Sequence, residues 1–188
     1  MKFLSKYFHS EKKRSEIWAV CASSWFLADM IVCDSDMKKA NVIVELWAGT
    51  GVFTKRIFSL VWETKKEVFI VEKDFDFYTL LIKKFPEHQY NILNIDVLEL
   101  ENILAERWID SVDLIISSLP FKSLPLEVFR GVMNHFLWNF SHSETLFKQF
   151  SYFPWTKMYK EYFWSIKKQF CFFNVPPATV FTCTGYKK

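Results

Sequence analysis

Short apolar runs recur along the chain, each bounded by polar or turn residues. Residues 42–46 (VIVEL) run apolar into a glycine turn, and 68–72 (VFIVE) and 112–117 (VDLIIS) share the pattern. Runs of this length, rich in Val and Ile, predict buried strands. Residues 90–95 (YNILNI) are a weaker copy. Between these runs the sequence is helix-like near 53–62, 74–84, 98–106 and 125–139. Strands that alternate with helices predict an α/β domain, a parallel sheet covered on both faces. From Thr145 the pattern changes. TLFKQFSYF and CFFNVPPATVFTCTGY read as late strands with Pro176-Pro177 as a turn or bulge, which predicts an antiparallel ending. No internal repeat or low-complexity linker divides the chain, so residues 1–188 are read as one domain.

Composition sharpens this picture at two points. Of the 188 residues 51% are hydrophobic and 19% aromatic, so a large core is available and overall disorder is excluded. Only four glycines occur, at 49, 51, 131 and 185, while 21 residues are Phe and Lys outnumbers Arg 20 to 4. A composition rich in Phe and Lys and poor in Gly and Arg is what the codon bias of an AT-rich genome would produce, and it makes each surviving glycine more informative. The net charge of +3 excludes a strongly basic nucleic-acid coat. Cys21, Cys33, Cys171 and Cys183 form no CxxC pair and sit among apolar residues, so reduced, buried thiols are expected rather than a metal site. No apolar run reaches roughly 18 residues, and MKFLSKYFHSEKKR lacks the apolar stretch of a signal peptide. A cytoplasmic chain is expected, with the membrane surface still open to it.

The sharpest motif follows the first strand and opens a helix: Glu45-Leu46-Trp47-Ala48-Gly49-Thr50-Gly51-Val52-Phe53-Thr54. Half the glycines of the chain fall within three positions here, where a turn must let backbone approach a ligand closely. Glu72 ends the second strand, 27 residues after Glu45, where a carboxylate can accept both hydroxyls of a ribose. Asp96 ends the third strand and can accept from an adenine amino group; it also precedes VLELENIL as a helix N-cap. The fourth strand ends in Ser117-Ser118-Leu119-Pro120-Phe121. Ligands of open α/β sheets bind outside the carboxyl ends of the strands, so this loop faces the reacting group. His9, His88, His135 and His142 fall outside all of these motifs.

Taken in order, these features resemble class I S-adenosylmethionine-dependent methyltransferases over roughly residues 40–150. The resemblance implies a Rossmann-like, doubly wound, mostly parallel seven-stranded sheet with an antiparallel last strand. It implies S-adenosyl-L-methionine as cofactor, held by Glu45, Gly49, Thr50, Gly51, Glu72, Asp96 and Ser117. The chain departs from the family at Trp47, where glycine is usual and where an indole crowds the methionine end of the cofactor unless it swings out.

Two groups within that family share the SSLPF type of loop. In rRNA adenine dimethylases it reads N-L/I-P-Y/F, and Ser118 stands at the Asn position, which disfavours adenine chemistry. In soluble bacterial phospholipid N-methyltransferases it reads S-G-L-P. Three further segments resemble the second group: Ala19-Val20-Cys21-Ala22-Ser23-Ser24 with Leu27-Ala28, Gln149-Phe150-Ser151-Tyr152, and Asn174-Val175-Pro176-Pro177-Ala178. The N-terminus adds an amphipathic helix over about residues 1–15, with Phe3, Leu4, Tyr7 and Phe8 on one face and Lys2, Lys6, Lys12, Lys13 and Arg14 supplying charge. Such a helix can lie in an anionic interface, each basic residue there contributing about 1 kcal/mol, or pack on the domain with its lysines in solvent; the resemblance favours the first.

The resemblance therefore implies N-methylation of phosphatidylethanolamine and its methylated products toward phosphatidylcholine, peripheral to the inner face of the cell membrane. Tyr152 is expected to orient the amine, Ser118 to face it, and Phe121 to offer its ring to the growing quaternary ammonium. Competing expectations are an rRNA adenine methyltransferase, a cofactor-binding module with weak or lost activity, and a small-molecule methyltransferase.

Overall fold

The computed structural model describes residues 25–121, 124–153 and 156–188. The expected amphipathic helix at 1–15 and the segment 19–24 lie outside the described residues.

One seven-stranded sheet runs in the order β3-β2-β1-β4-β5-β7-β6. Strands β1 (Val42–Leu46), β2 (Glu67–Val71), β3 (Ile92–Leu93), β4 (Leu114–Ser117) and β5 (Leu146–Ser151) are mutually parallel. Strand β7 (Ala178–Tyr186) runs antiparallel between β5 and the edge strand β6 (Phe163–Cys171). The Rossmann-like doubly wound architecture and its antiparallel last strand are as expected. The order reverses between β1 and β4, which opens a crevice at their carboxyl ends.

Alternation along the strands divides the core into two layers. Ile43, Val68, Ile70, Leu114, Ile116 and Val180 face helices α1 (Trp25–Ile31) and α3 (Val52–Val61). Val44, Leu46, Phe69, Ile115, Phe147 and Phe181 face α5 (Leu100–Glu106) and the long helical stretch from Leu126. Burying each such side chain contributes roughly 1.5–3 kcal/mol. The Leu126 stretch comprises α6 (Leu126–Gly131), a π-widened turn (Val132–Phe136) and α7 (Leu137–Phe140). The Tyr186 hydroxyl donates to the Met133 carbonyl within that widened turn. Helix α4 (Phe75–Lys84) starts where the Asp74 carboxylate accepts from the Asp76 and Phe77 amides, and it ends on Lys83 and Lys84, favourable to the helix dipole.

Helix α2 (Asp34–Lys39) is tied to the sheet by an ion pair under the first layer. Lys148, 3% exposed at its side chain, donates to Asp36 at 2.6 Å, and Cys33 donates to the same oxygen at 2.9 Å. Cys33 is thus half-buried and bonded, whereas Cys171 and Cys183 are buried as expected. At the amino-terminal edge of the sheet, Asp113 accepts from the Asn41 and Val42 amides at 2.7 and 2.9 Å and pairs with His142 at 3.0 Å.

Two elements differ from expectation. Strand β3 keeps only two residues, because the Asn94 amide turns to the Glu72 and Lys73 carbonyls and ends the ladder. Strand β6 has no counterpart in the predicted elements. It is an edge strand exposed along most of its length, so no apolar run marks it.

Candidate active site

Residues predicted from the motifs converge at the carboxyl ends of β1, β2 and β4. The turn after β1 is held by the Trp47 and Ala48 amides, which donate to the Val71 carbonyl at 2.9 and 3.3 Å. Trp47 takes φ +64°, the left-handed conformation that glycine adopts freely and that costs other residues roughly 1–2 kcal/mol. Gly49 also has positive φ, +55°, and a Cβ added there meets nothing within 4 Å: its backbone borders open space. Gly51 is different. At φ +79° an added Cβ falls 2.6 Å from Leu81 and 2.9 Å from Phe85, so this glycine lets α3 start against α4. Thr50 presents its carbonyl to Lys84 Nζ at 3.0 Å.

Glu45 is fully buried on the α1–α3 side of the sheet. Thr54 Oγ1 donates to its Oε2 at 2.7 Å, while Oε1 is buried with no protein partner. Burial pushes its pKa up to about 8; the Thr54 hydroxyl opposes this and the charge of Glu72 adds to it. Glu72 is buried too, and burial pushes it up to about 7 against the pull of the Asp74 and Gly49 amides. Those amides donate to Oε1 at 2.8 Å and Oε2 at 2.7 Å. A carboxylate offers about four lone-pair sites, so each oxygen keeps acceptor capacity for a ribose hydroxyl. Glu72 therefore fastens the glycine turn through Gly49.

Asp96 caps the helical turn Val97–Glu99 by accepting from the Leu98 amide at 3.1 Å, and it pairs with Lys73 at 2.5 Å. The residues that follow the carboxyl ends of β2 and β3 thus bring charge to the place expected for an adenine. Ser117 is buried and its hydroxyl accepts from the Leu119 amide at 3.3 Å; Ser118 is half-buried and donates its amide to the Leu46 carbonyl at 3.0 Å. The SSLPF loop is thereby stitched across the crevice between β4 and β1. Phe121, expected to face the reacting group, is 6% exposed with its ring edge-on to Phe129 at 5.1 Å. An apolar ring gains more there, packed under the loop, than in open solvent. Tyr152 leaves the end of β5 half-buried, edge-on to Phe150, whose ring is edge-on to Phe53 of α3.

Two supporting residues were not predicted in these roles. Thr54 lies nine positions after Glu45, a spacing that places a hydroxyl on the first turn of α3 opposite the strand's end. Gln149, 2% exposed, donates to the Leu119 carbonyl at 3.1 Å and the Phe150 carbonyl at 2.7 Å, leaving its own Oε1 without a protein partner. The sequence marks Gln149 through the resemblance of Gln149-Phe150-Ser151-Tyr152, but not its hold on the loop after β4.

Comparisons with known proteins fit this geometry. The family model described as ribosomal RNA adenine dimethylase matches residues 23–130. An ornithine lipid N-methyltransferase from Singulisphaera acidiphila is 33% identical over 189 aligned positions, covering 99% of this chain and 96% of that protein. Among solved structures, precorrin-6y C5,15-methyltransferase from Geobacter metallireducens superposes with a TM-score of 0.57 at 11% identity, over 85% of this chain and 87% of the other. Fibrillarin from Aeropyrum pernix, solved with natively bound S-adenosyl-L-methionine, gives 0.55 at 13% identity over 78% and 68%. At such identities these two structures speak for the fold alone.

Proposed function

Because the chain belongs to the family of S-adenosylmethionine-dependent methyltransferases that the ribosomal RNA adenine dimethylase model covers, we propose that it methylates the amine of a membrane amino lipid. The observation that carries this reading is the likeness to an ornithine lipid N-methyltransferase along the whole chain, including β5 to β7, beyond the part that the dimethylase model matches. Ser118 supports it, standing where adenine methylation calls for an Asn side chain. Phosphatidylethanolamine and ornithine lipid both present a primary amine, and that shared chemistry is what the site is proposed to take. Repeated transfer to phosphatidylethanolamine yields phosphatidylcholine.

The donor set fits the cofactor: an unpartnered buried carboxylate oxygen on Glu45, a glycine backbone bordering open space, and acceptor capacity on Glu72. Glu72 would hold the ribose hydroxyls, Asp96 the adenine amino group, and the Glu45 side of the Gly49–Gly51 turn the methionine end. When bound, S-adenosylmethionine supplies a methyl group already activated on a sulfonium.

The protein's own task is then positioning and desolvation. An amine attacks only when neutral, and an aromatic site disfavours its charged form. Tyr152 orients the amine through its hydroxyl, Ser118 lines the approach, and Ser117 with Gln149 fixes the loop between them. Phe121 supports that loop from beneath.

The test offers labelled S-adenosylmethionine with phosphatidylethanolamine vesicles, ornithine lipid vesicles and ribosomal RNA in separate reactions. Label in either lipid is the expected result, and the two vesicle arms identify the headgroup. Label confined to RNA would overturn the proposal. Tyr152→Phe is expected to lower turnover on lipid; unchanged turnover would remove its polar role.

A further inference from the structure

The rim of the crevice is aromatic where an enzyme of soluble substrates would be polar. Trp25 and Phe26 are 66% and 58% exposed, Phe153 50%, Phe172 and Phe173 73% each, and Val175 81%. Sheet register gathers these residues. Ser151 pairs with Thr179 and Cys171 with Ala178, so the turn at 172–177 rises at the end of β5, where Tyr152 and Phe153 emerge. Phe26 of α1 meets Phe173 at 5.1 Å between ring centroids, and Phe172 meets Phe170 at 4.5 Å. Tyr152 connects through Phe150 to Phe53, two positions past Gly51 of the glycine turn. The rim is therefore continuous with the crevice. Apolar patches of this kind on a protein surface mark sites of interaction.

Charge says what kind of surface would cover it. From residue 145 onward the chain carries seven lysines and a single acidic residue, Glu161. Residues 1–144 hold seventeen basic side chains against twenty acidic ones, so the net positive charge resides in the segment that forms β5 to β7. Lys167 and Lys168 are exposed on β6, leading to the aromatic turn. On the α1 side, Lys55 Nζ lies 4.5 Å from the Trp25 ring centroid. Aromatic rings favour the boundary between headgroups and acyl chains, and lysines beside them favour anionic headgroups.

We propose that this rim is a membrane-docking surface whose occupant is the headgroup–acyl boundary of an anionic bilayer. It rests on the lipid reading above and adds how the substrate arrives. The turn at 172–177, Phe153 and the start of α1 enter the interface around the crevice. A lipid amine can then reach the end of β5 while its acyl chains stay in the bilayer.

The test uses the full chain and sedimentation with vesicles of phosphatidylglycerol mixed with phosphatidylcholine, and of phosphatidylcholine alone. The wild type is expected to favour the anionic vesicles. The F172S/F173S variant is expected to bind them at least about tenfold more weakly, each ring losing a large part of its transfer free energy. K167Q/K168Q is expected to weaken binding several-fold and to flatten its salt dependence. Affinity for S-adenosylhomocysteine stays at the wild-type level in both, which reports an intact fold. Wild-type partitioning of both variants would overturn the proposal. So would a wild-type dimer that ignores vesicles and that F172S/F173S turns into a monomer, since the occupant would then be a second copy. Failure of the lipid-substrate reading looks different: vesicles are bound, the variants release them, and no label enters any lipid.

Discussion

The two ends of the sheet's strands treat carboxylates in opposite ways. At the amino-terminal edge, burial raises the pKa of Asp113, but the Val42 and Asn41 amides and His142 more than offset it and hold it below the usual carboxylate range. At the carboxyl edge, burial outruns bonding: Glu45 is pushed up to about 8 and Glu72 to about 7. At the carboxyl edge a Glu45 oxygen is buried without a protein partner, and Trp47 sits there in a left-handed conformation. A fully bonded carboxylate belongs to the fold. A buried, under-bonded one is held at a cost by the surrounding structure, and a ligand's donors can complete it. The amino-terminal edge thus holds the bonded carboxylate, and the carboxyl edge holds Glu45, on which the proposed binding chemistry rests.

Removing a group from either edge should separate these contributions. Glu72→Ala takes away both oxygens proposed to meet the ribose and leaves the Gly49 and Asp74 amides without their acceptor, so S-adenosylhomocysteine affinity measured by calorimetry should fall at least about a hundredfold, beside a modest fall in melting temperature. Asp113→Ala leaves the Asn41 and Val42 amides without their acceptor. Denaturant unfolding should show a loss of about 2–3 kcal/mol while cofactor affinity stays unchanged. Equal damage to binding and stability by either variant would break the comparison.

A pH titration sharpens it. In the folded protein Glu45 has a pKa raised above its unfolded value, so between the two values the native state holds a proton that the unfolded chain has released. Its contribution is complete below the unfolded pKa and is lost as pH rises toward 8. The melting temperature of the ligand-free protein should fall by several degrees between pH 5 and pH 8, and Glu45→Gln should flatten that slope. Trp47→Gly has the smallest expected effect. Relief of the left-handed strain, reduced by the greater unfolded-state entropy of glycine, gives at most about 1 kcal/mol. Cofactor affinity, measured by the same calorimetry, should tighten a few-fold.

Legibility in the sequence followed the same division. Strand β1 and helix α3 match their predicted positions almost residue for residue, because an apolar run ending at Gly49 and Gly51 admits few other conformations. The ends of β1, β2 and β4 were legible for the same reason, and with them Glu45, Glu72 and Ser117. Strand β6 was hidden, since an exposed edge needs no hydrophobic alternation. The partners that complete the site were hidden as well. Thr54 acts through one hydrogen bond and Gln149 through two, and their geometry exists only after folding. The packed position of Phe121 depends on Phe129, across a turn and in another element, which no local pattern reveals.

Strand β7 follows β6 in the chain yet lies between β6 and β5. During synthesis, β6 leaves the ribosome before the strand that is its neighbour in the sheet exists. Until Ala178–Tyr186 emerges, the outer edge of β5 stays open with its backbone groups unpaired. At about 5–20 residues per second that interval lasts on the order of seconds. Lys167 and Lys168 lie within β6, and charges on an edge strand disfavour its pairing with a neighbouring chain.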